Sequence, residues 1–383
     1  MNTFIVLVIV LFTLLSITLY LYNRDRQVHI WIMAYLNNCF SSKPAPSKEG
    51  PIHVMFSIMD HYEPYQDHYN RFSGPMEIVK YWQQHLPGIL NKHADSNGRM
   101  PQYGFFYPAE AYDKDVVEEI AVMCRGGYGD MDVHLHHDDD TADNMEKVIL
   151  NFIDTLYHDH GMLRKDENGK ITFGFIHGDW ALDNSAAGGH FCGINDELLL
   201  LKKLGCYADF TLPSAPSETQ TSKINSIYYA KDDPNQPKSH NMGKDVSVNG
   251  EAWGDLMIIQ GPLTLNWKNR KFGLFPRIEN GELSAESRPS KQRALLWIQQ
   301  HIHVTGSPNI VFIKLHAHGA NERGLKMLLD DGGLDQLYSI MEEEYNDGKN
   351  YKLHYVTPYE IYKTIKALEG GFKGDPTEVY NNK

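Results

Sequence analysis

The chain has 383 residues, of which 42% are hydrophobic, so it has enough apolar side chains for a globular core and is not of a disordered composition. Its formal net charge of −13 disfavours nucleic acid as a partner, because DNA and RNA bind to basic surfaces. The cysteines form no C-x-x-C pair, which disfavours a zinc knuckle or a dense disulfide framework; they are Cys39, Cys124, Cys192 and Cys206.

The amino-terminal segment predicts a membrane anchor at residues 1–23. Residues 4–22 form an uncharged, mostly apolar run that is long enough to cross the hydrocarbon layer as a helix. A cleaved signal peptide is the alternative, and it is disfavoured because no Lys or Arg precedes the run and no small-residue cleavage site follows it. Arg24 and Arg26 come directly after the run, so the positive-inside rule favours a single-pass membrane protein with a cytoplasmic soluble domain, with a periplasmic domain as the alternative.

Residues 24–51 are predicted to connect the anchor to the soluble part of the chain. Within them, residues 28–40 predict a helix that either lies in the membrane interface or packs on the soluble domain. Residues 41–51 are rich in Ser, Pro and Lys, a composition that is typical of a linker.

From residue 52 to residue 383, strand-like and helix-like segments alternate. The predicted strands are 52–60, 103–108, 131–136, 171–177, 206–212, 309–316 and 351–356. The predicted helices are 75–91, 113–124, 141–158, 195–204, 288–303, 322–346 and 358–368. This α/β alternation predicts a parallel sheet with crossover helices, arranged as an irregular, seven-stranded (β/α) barrel; an open doubly wound sheet is the alternative.

Residues 213–285 interrupt the alternation with a stretch that is rich in Ser, Asn, Lys, Pro and Gly. We expect an insertion with some β-structure over one mouth of the barrel, because loops of this length are usually lids or mobile segments. The sequence has neither a G-x-G-x-x-G nor a G-K-[ST] motif, which disfavours a nucleotide-binding fold.

Histidines and acidic residues stand at the ends of four predicted strands. The groups are Asp60-His61-Tyr62-Glu63, His134 to Asp140, His177 to Trp180, and His316-Ala317-His318. In a β/α barrel the carboxyl ends of the strands meet at one mouth and carry the active site. The sequence therefore predicts that these four groups form a single site.

Imidazole and carboxylate groups together are ligands for divalent metal ions, so the site is predicted to hold such an ion, with Zn²⁺ as the best match. The candidate ligands are Asp60, His61, His134, His136 and Asp140, with His137 as a substitute. Two simpler interpretations stay open. In the first, His134 is an interior histidine with ordinary hydrogen bonds and binds no metal. In the second, Asp138 and Asp139 only cap the helix that follows them.

These motifs resemble those of the polysaccharide deacetylase (NodB-homology) family, within the glycoside hydrolase/deacetylase β/α-barrel superfamily. The first strand of that family ends in two aspartates, a general base and a metal ligand, whereas here only Asp60 is present. Either Asp60 is the ligand, or it is the base and His61 is the ligand. In the family's second motif a histidine is followed four residues later by another. Here His136 and Asp140 hold these positions, with His134 or His137 as the replacement for the second histidine.

The family's last motif is a strand that ends in a leucine and a histidine, which acts as a general acid. His316 matches this histidine and His318 is the reserve, whereas the family's arginine-proline motif is not recognisable. The resemblance implies a hydrolase that uses a divalent metal to remove acetyl groups from a carbohydrate. Asp60 would deprotonate the attacking water, His316 would protonate the leaving group, and Asp179 or Asp183 would orient that histidine. Trp180 is a candidate for stacking on the sugar ring.

Three other functions are compatible with the same residues. A glycoside hydrolase would use Asp60 and Asp179 as its carboxylate pair and would release no acetate. A metal-dependent phosphoesterase would use the same His/Asp groups, although the sequence has no signature of a basic pocket. A non-catalytic, membrane-tethered sugar-binding protein would explain the departures from the first two family motifs.

Overall fold

The computed structural model describes residue 13 and residues 24–40, 50–66 and 68–380. Apart from residue 13, the predicted anchor at residues 1–23 lies outside the described part of the chain, and so does most of the predicted linker. Within the described ranges, every helix is too short or too polar to span a membrane.

The described residues form a mixed α/β fold around one large sheet. In chain order the strands are β1 (Ile52–His61), β2 (Tyr103–Pro108), β3 (Gly129–Leu135), β4 (Arg164–Lys165), β5 (Ile171–His177), β6 (Cys206–Asp209), β7 (Ile227–Ala230), β8 (Lys244–Asp245), β9 (Leu256–Ile259), β10 (Thr264–Lys271), β11 (Phe275–Glu279), β12 (Glu282–Leu283), β13 (Ile310–Ala317) and β14 (Tyr351–Tyr355).

The main sheet is mostly parallel. Its hydrogen-bonded order is β12-β13-β1-β2-β3-β5-β6-β9-β7-β8, with β14 also paired to β1 and β4 to β5. The neighbours from β12 to β9 run parallel, whereas β7 is antiparallel to both β8 and β9. The predicted parallel sheet with crossover helices is thus confirmed.

The hydrogen-bonded path through the described strands is open, so closure into a barrel is not part of the observed pairing. One side chain nevertheless crosses between two distant strands of this path. Lys314 of β13 is buried, and its Nζ donates to the carbonyl oxygens of Phe210 and Leu212, which follow β6. Strand β13 and the chain that follows β6 are therefore joined by side-chain hydrogen bonds, although their backbones are not paired.

The helices begin at residues that cap them locally. In chain order they are α1 (Val28–Phe40), α2 (Pro75–Leu90), α3 (Lys114–Met123), α4 (Ala142–His158), α5 (Glu197–Leu204), α6 (Lys291–Gln300), α7 (Glu322–Leu325), α8 (Gly333–Tyr345), α9 (Pro358–Glu369) and α10 (Thr377–Tyr380). The side chains of Asp113, Thr141 and Thr357 accept hydrogen bonds from first-turn N–H groups of α3, α4 and α9.

Three observed helices differ from the predicted ones. The helix predicted at residues 288–303 is shorter, Lys291–Gln300, because the Ser290 side chain caps its start and His301 ends it in a left-handed conformation. The helix predicted from Asn195 begins at Glu197 instead, because the Asn195 side chain accepts a hydrogen bond from Asn184 and caps no helix. The long helix predicted from Glu322 is interrupted at Gly332, whose backbone is left-handed with a φ of 72°. Glycine adopts this conformation at little cost, and a helix cannot continue through it.

The segment 213–285, which was predicted to contain some β-structure, includes β7 to β12. Strand β9 joins the main sheet beside β6, and β10 and β11 form a separate hairpin. Helix α1 packs on this segment, since Val28 and Trp31 are buried in one apolar cluster with Leu263. Of the two interpretations of residues 28–40, the structure therefore has the packed helix.

The parallel register brings the ends of several strands to one edge of the sheet, which we call the mouth. Asp60 near the end of β1 is paired with Ala317 at the end of β13. Leu135 at the end of β3 is paired with His177 at the end of β5. Side chains that follow these strands consequently meet at the mouth, as predicted for the His/Asp groups.

Candidate metal centre

The mouth holds four histidines and one glutamate whose ligand atoms converge. We call these residues the mouth cluster; they are His61, Glu63, His134, His136 and His318. They form two overlapping groups that share Glu63, and within each group the ligand atoms lie within 4.8 Å of one another. The His61 ring is centred 4.7 Å from that of His318 and 5.0 Å from that of His134.

Glu63 is the shared residue of the mouth cluster. Its Oε1 lies 3.1 Å from Nε2 of His134 and 3.7 Å from Nε2 of His136. Burial raises the pKa of Glu63, but its hydrogen bond to His134 and the charges of the surrounding histidines lower it, and the net shift is downward. The carboxylate is therefore ionised at neutral pH and faces several ring nitrogens.

Two of these histidines are fixed by partners on their other ring nitrogen. Nδ1–H of His134 donates to the carbonyl oxygen of Ile176 at 2.8 Å, and Nδ1–H of His136 donates to Oε1 of Glu110 at 2.6 Å. In the neutral form of each ring, Nε2 then carries a lone pair that faces Glu63. Two lone pairs directed at a carboxylate repel it, unless a proton or a metal ion lies between them. Outer-shell acceptors on Nδ1 are typical of metal-binding histidines.

The pKa of His136 is raised by its acidic neighbours. Burial lowers its pKa, whereas the hydrogen bond to Glu110 and the charges of Glu63 and Asp179 raise it, and the net shift is upward. Asp179 itself is exposed and stands in a turn after β5 with a φ of 51°. The predicted catalytic residue Asp179 thus lies at the rim of the mouth, where its charge acts on His136.

His61 is one of the two buried histidines of the mouth cluster. Only His134, at 0%, is less exposed than His61 at 3%, and Nε2 of His61 has no hydrogen-bond partner among the described residues. Burial, together with the neighbouring histidines, lowers its pKa well below the usual value, so the ring is neutral. A buried ring nitrogen without a partner is costly. A metal ion among His61, Glu63 and His318 would satisfy it, so this group of the mouth cluster also fits a metal.

Asp60 lies behind the mouth cluster and belongs to neither of its two groups. Its Oδ2 accepts a hydrogen bond from the Tyr103 hydroxyl at 2.6 Å, and its Oδ1 accepts one from the Gly319 N–H at 2.8 Å. Burial raises the pKa of Asp60 to about 7, although these hydrogen bonds lower it. A Cβ at Gly319 would lie 2.3 Å from Oδ2 of Asp60, so this close approach requires glycine. Asp60 thus holds the turn that follows His318.

Two further predicted residues are placed apart from the mouth cluster. His316 is buried on β13 with its ring centred 6.1 Å from that of His61, and the structure brings His318 rather than His316 into ligand distance of Glu63. Asp140 accepts hydrogen bonds from the Thr141 N–H at 2.7 Å and from the Asn144 side chain, so it lies just before α4, which Thr141 caps.

Trp180 stands over the mouth cluster. Its ring is centred 6.2 Å from that of His61 and 6.1 Å from that of His318, and it is partly exposed. The turn that carries Trp180 passes directly over His136, because a Cβ at Gly178 would lie 2.3 Å from the His136 ring. The indole therefore presents an aromatic surface beside the candidate metal position.

The sequence interpretation gave no role to two residues of this site. Glu63 follows His61 by two positions, and its place in the group after β1 was the only available signal. Glu110 lies in a short helical turn after β2, and nothing in the sequence connects it with His136. No protein-family model matches this chain, and a search of curated proteins finds no match. The resemblance to polysaccharide deacetylases therefore rests on the layout of the motifs.

Proposed function

We propose that this protein is a hydrolase that depends on a divalent metal held by Glu63, His134 and His136. The observation that carries the proposal is the convergence of two Nε2 atoms on one ionised carboxylate, with Nδ1 of both rings fixed by an acceptor. Two histidines and a glutamate, with room for a further ligand, are a common set for catalytic Zn²⁺. Such an ion supplies Lewis acidity, because it polarises a carbonyl oxygen and lowers the pKa of water in the site.

His318 is proposed to move the proton during hydrolysis. Burial and the neighbouring histidines lower its pKa, although the charge of Glu63 raises it, and the net shift is downward. A neutral imidazole accepts a proton from the attacking water while the water oxygen bonds to the acyl carbon. The same imidazolium then gives its proton to the leaving nitrogen or oxygen as the bond to the acyl group breaks, which releases a carboxylic acid and the free amine or alcohol.

The proposed substrate is an acetylated carbohydrate. Trp180 offers an aromatic face at the rim, and Asp179 offers a carboxylate for sugar hydroxyls. A cleft of about 160 Å³ opens beside His318 and is lined by polar residues that include Glu282 and Arg323. An aromatic surface combined with a few polar groups is the usual composition of a carbohydrate or other small-molecule site.

We also propose that the sheet belongs to an irregular β/α barrel and that residues 1–23 anchor the protein in a membrane, as the sequence predicts. Support for the barrel comes from Lys314, which links β13 to the chain that follows β6 across the open side of the sheet. The anchor at residues 1–23 rests on the sequence alone. A glycoside hydrolase with an Asp60/Asp179 pair has less support, because both oxygens of Asp60 are already hydrogen-bonded and its side chain is 0% exposed.

An acetate-release assay tests the proposed function. The full-length protein, loaded with Zn²⁺, is incubated with a panel of N-acetylated and O-acetylated sugars and oligosaccharides. We expect acetate release by the unchanged chain and none by the His136→Ala variant, with His354→Ala as a matched control that keeps activity. If the unchanged chain binds the metal but releases no acetate from any member of the panel, the deacetylase proposal is wrong.

A further inference from the structure

A second group of ligand atoms lies beside the mouth cluster and shares no residue with it. It contains His137, His177, Cys192 and Glu197, which we call the Cys192 cluster, and its ligand atoms lie within 4.8 Å of one another. His137 follows β3, His177 ends β5, and Glu197 is the first residue of α5. Three elements that are far apart in the sequence thus bring nitrogen, sulfur and oxygen atoms to one point.

The distances from the two histidines to Glu197 are those of atoms arranged around a small ion, whereas the two ring nitrogens lie at hydrogen-bond distance from each other and would have to move apart to share the ion. Nε2 of His137 is 2.8 Å from Nε2 of His177, and each of these atoms is 3.4 Å from Oε1 of Glu197. The sulfur of Cys192 is 3.6 Å from Oε2 of Glu197. A tetrahedral ion with bonds of ~2.0–2.3 Å to each ligand needs separations of roughly 3.3–3.6 Å between the ligands.

The hydrogen bonds around the cluster direct lone pairs toward its centre. Nδ1–H of His177 donates to the carbonyl oxygen of Gly178 at 2.6 Å, so Nε2 of the neutral ring has no proton. Nδ1 of His137 lies 3.2 Å from Oδ2 of Asp140, a charge contact without hydrogen-bond geometry. Asp140, which the sequence placed among the metal ligands, therefore stands behind a ligand here.

The sulfur and the carboxylate show the same arrangement. Backbone N–H groups of Asn184 and Ile194 donate to Sγ of Cys192 at 3.3 and 3.4 Å. Oε2 of Glu197 accepts from the Asp183 N–H, whereas Oε1, at 0% exposure, has no hydrogen-bond partner among the described residues. A buried carboxylate oxygen without a partner is costly, and a cation at the centre would satisfy it.

We infer that His137, His177, Cys192 and Glu197 form a second metal site, which binds Zn²⁺ with four protein ligands. A closed set of four ligands is typical of a structural zinc site, in contrast to the open set at the mouth. The ion would join the ends of β3 and β5 to the start of α5.

The segment that this ion would hold is the one that carries Asp179 and Trp180. Residues 179–191 contain five non-glycine residues with positive φ, namely Asp179, Trp180, Asp183, Asn184 and Phe191. A left-handed backbone is disfavoured for residues with a Cβ, so the segment needs strong fixed contacts to keep its conformation. A metal bound at both ends of the segment supplies them and positions the rim of the mouth.

Cobalt spectroscopy tests the second site independently of activity. The full-length chain, purified without a histidine tag, is stripped of metal and loaded with Co²⁺. We expect a thiolate-to-cobalt charge-transfer band that is lost in Cys192→Ser and kept in Cys206→Ser, whose buried thiol lies elsewhere. Elemental analysis should give one zinc equivalent fewer for Cys192→Ser than for Cys206→Ser. His136→Ala should keep the charge-transfer band, so that failure at the mouth and failure at the Cys192 cluster are distinguishable.

A variant that leaves Cys192 untouched guards against misfolding of Cys192→Ser. In the triple variant Cys39→Ser, Cys124→Ser, Cys206→Ser, the remaining thiol should still give the charge-transfer band. Absence of the band from the folded, unchanged chain would overturn the inference, and so would a band that persists in Cys192→Ser.

Discussion

Strand β1 carries a histidine at each end, and the two ends have different surroundings. At the amino end, His53, His354 and Asp375 also have ligand atoms within 4.8 Å of one another. His354 is fully buried, yet its Nε2 is 2.8 Å from Nδ1 of His53, and its Nδ1 lies 3.0 Å from the Tyr380 hydroxyl. Each ring nitrogen of His354 therefore has a protein partner.

At the carboxyl end the protein leaves ring nitrogens available. Nε2 of buried His61 has no partner in the described part of the chain, and Nε2 of His134 and His136 face the carboxylate of Glu63. Convergence of His and Asp/Glu is thus common to both ends, whereas unsatisfied lone pairs occur at one. Ring nitrogens whose lone pairs have no hydrogen-bond partner, rather than proximity alone, distinguish a metal centre from a structural hydrogen-bond network.

The largest expected effect is the loss of the mouth metal. His136→Ala removes a ligand and should lower hydrolysis by ~10³-fold or more, because the ion contributes several kcal/mol of transition-state stabilisation. His354→Ala removes a histidine from the converging group at the other end of β1 and should leave metal content unchanged. Elemental analysis and acetate release on both variants check this. Equal metal loss in the two variants would remove the distinction between the ends.

A smaller effect is expected from the partner of a ligand. Glu110→Gln keeps the size of the side chain but removes the charge that fixes Nδ1 of His136, and it should weaken metal binding by ~10–100-fold. Chelator competition measures the affinity. Glu118→Gln is the matched control, because Glu118 accepts a similar hydrogen bond from His160 at 2.7 Å, outside both metal sites. An unchanged affinity in Glu110→Gln would argue against His136 as a ligand.

At the amino end of β1 the expected effect is on stability. His354→Ala leaves the groups that contact His354 without their partner, and it should lower the free energy of unfolding by ~2 kcal/mol. Urea unfolding measures the change. The loss should be the same with and without added Zn²⁺. A loss that appears only when zinc is present would indicate that His354 and His53 bind metal after all.

A pH dependence of stability is expected at Lys314, between the two ends. Burial lowers the pKa of Lys314 from its ordinary value of 10.5 to about 7, although the charge of Asp209 raises it. The folded protein therefore releases this proton near pH 7, whereas the unfolded chain keeps it to about pH 10.5. The free energy of unfolding should rise with pH within this window, with a slope of up to ~1.4 kcal/mol per pH unit.

Urea unfolding from pH 6 to pH 10 compares the unchanged chain with Lys314→Met, which should lose this rise. Lys203→Met is the control at an exposed position and should keep it. The same pH dependence in all three proteins would mean that Lys314 is not the group responsible.

The pattern of the sequence was sufficient for the sheet and for the location of the site. Apolar runs separated by helical segments predicted the parallel strands, whereas the four His/Asp groups, which were predicted to form one site, divide between the mouth cluster and the group of His137 and His177. The periodicity of a segment and the parallel register of neighbouring strands are local properties, so they are readable without knowledge of the tertiary packing.

The roles of the individual site residues could not be predicted from these local properties. Whether Asp60 points into the mouth depends on Tyr103 and Gly319, which are distant in the sequence and occupy both of its oxygens. Asp140 lies beside His137 because of the conformation of the turn that precedes α4. These features follow from loop conformation and long-range hydrogen bonds, for which a single sequence carries no periodic signal.

The most direct test of the central claim is to locate the metal in crystals of the full-length protein grown with Zn²⁺, by anomalous diffraction at the zinc absorption edge. We expect an anomalous peak bounded by Glu63, His134 and His136, and no peak between His53 and His354. A fully ordered mouth without an anomalous peak, at a zinc concentration well above that of the protein, would contradict the account.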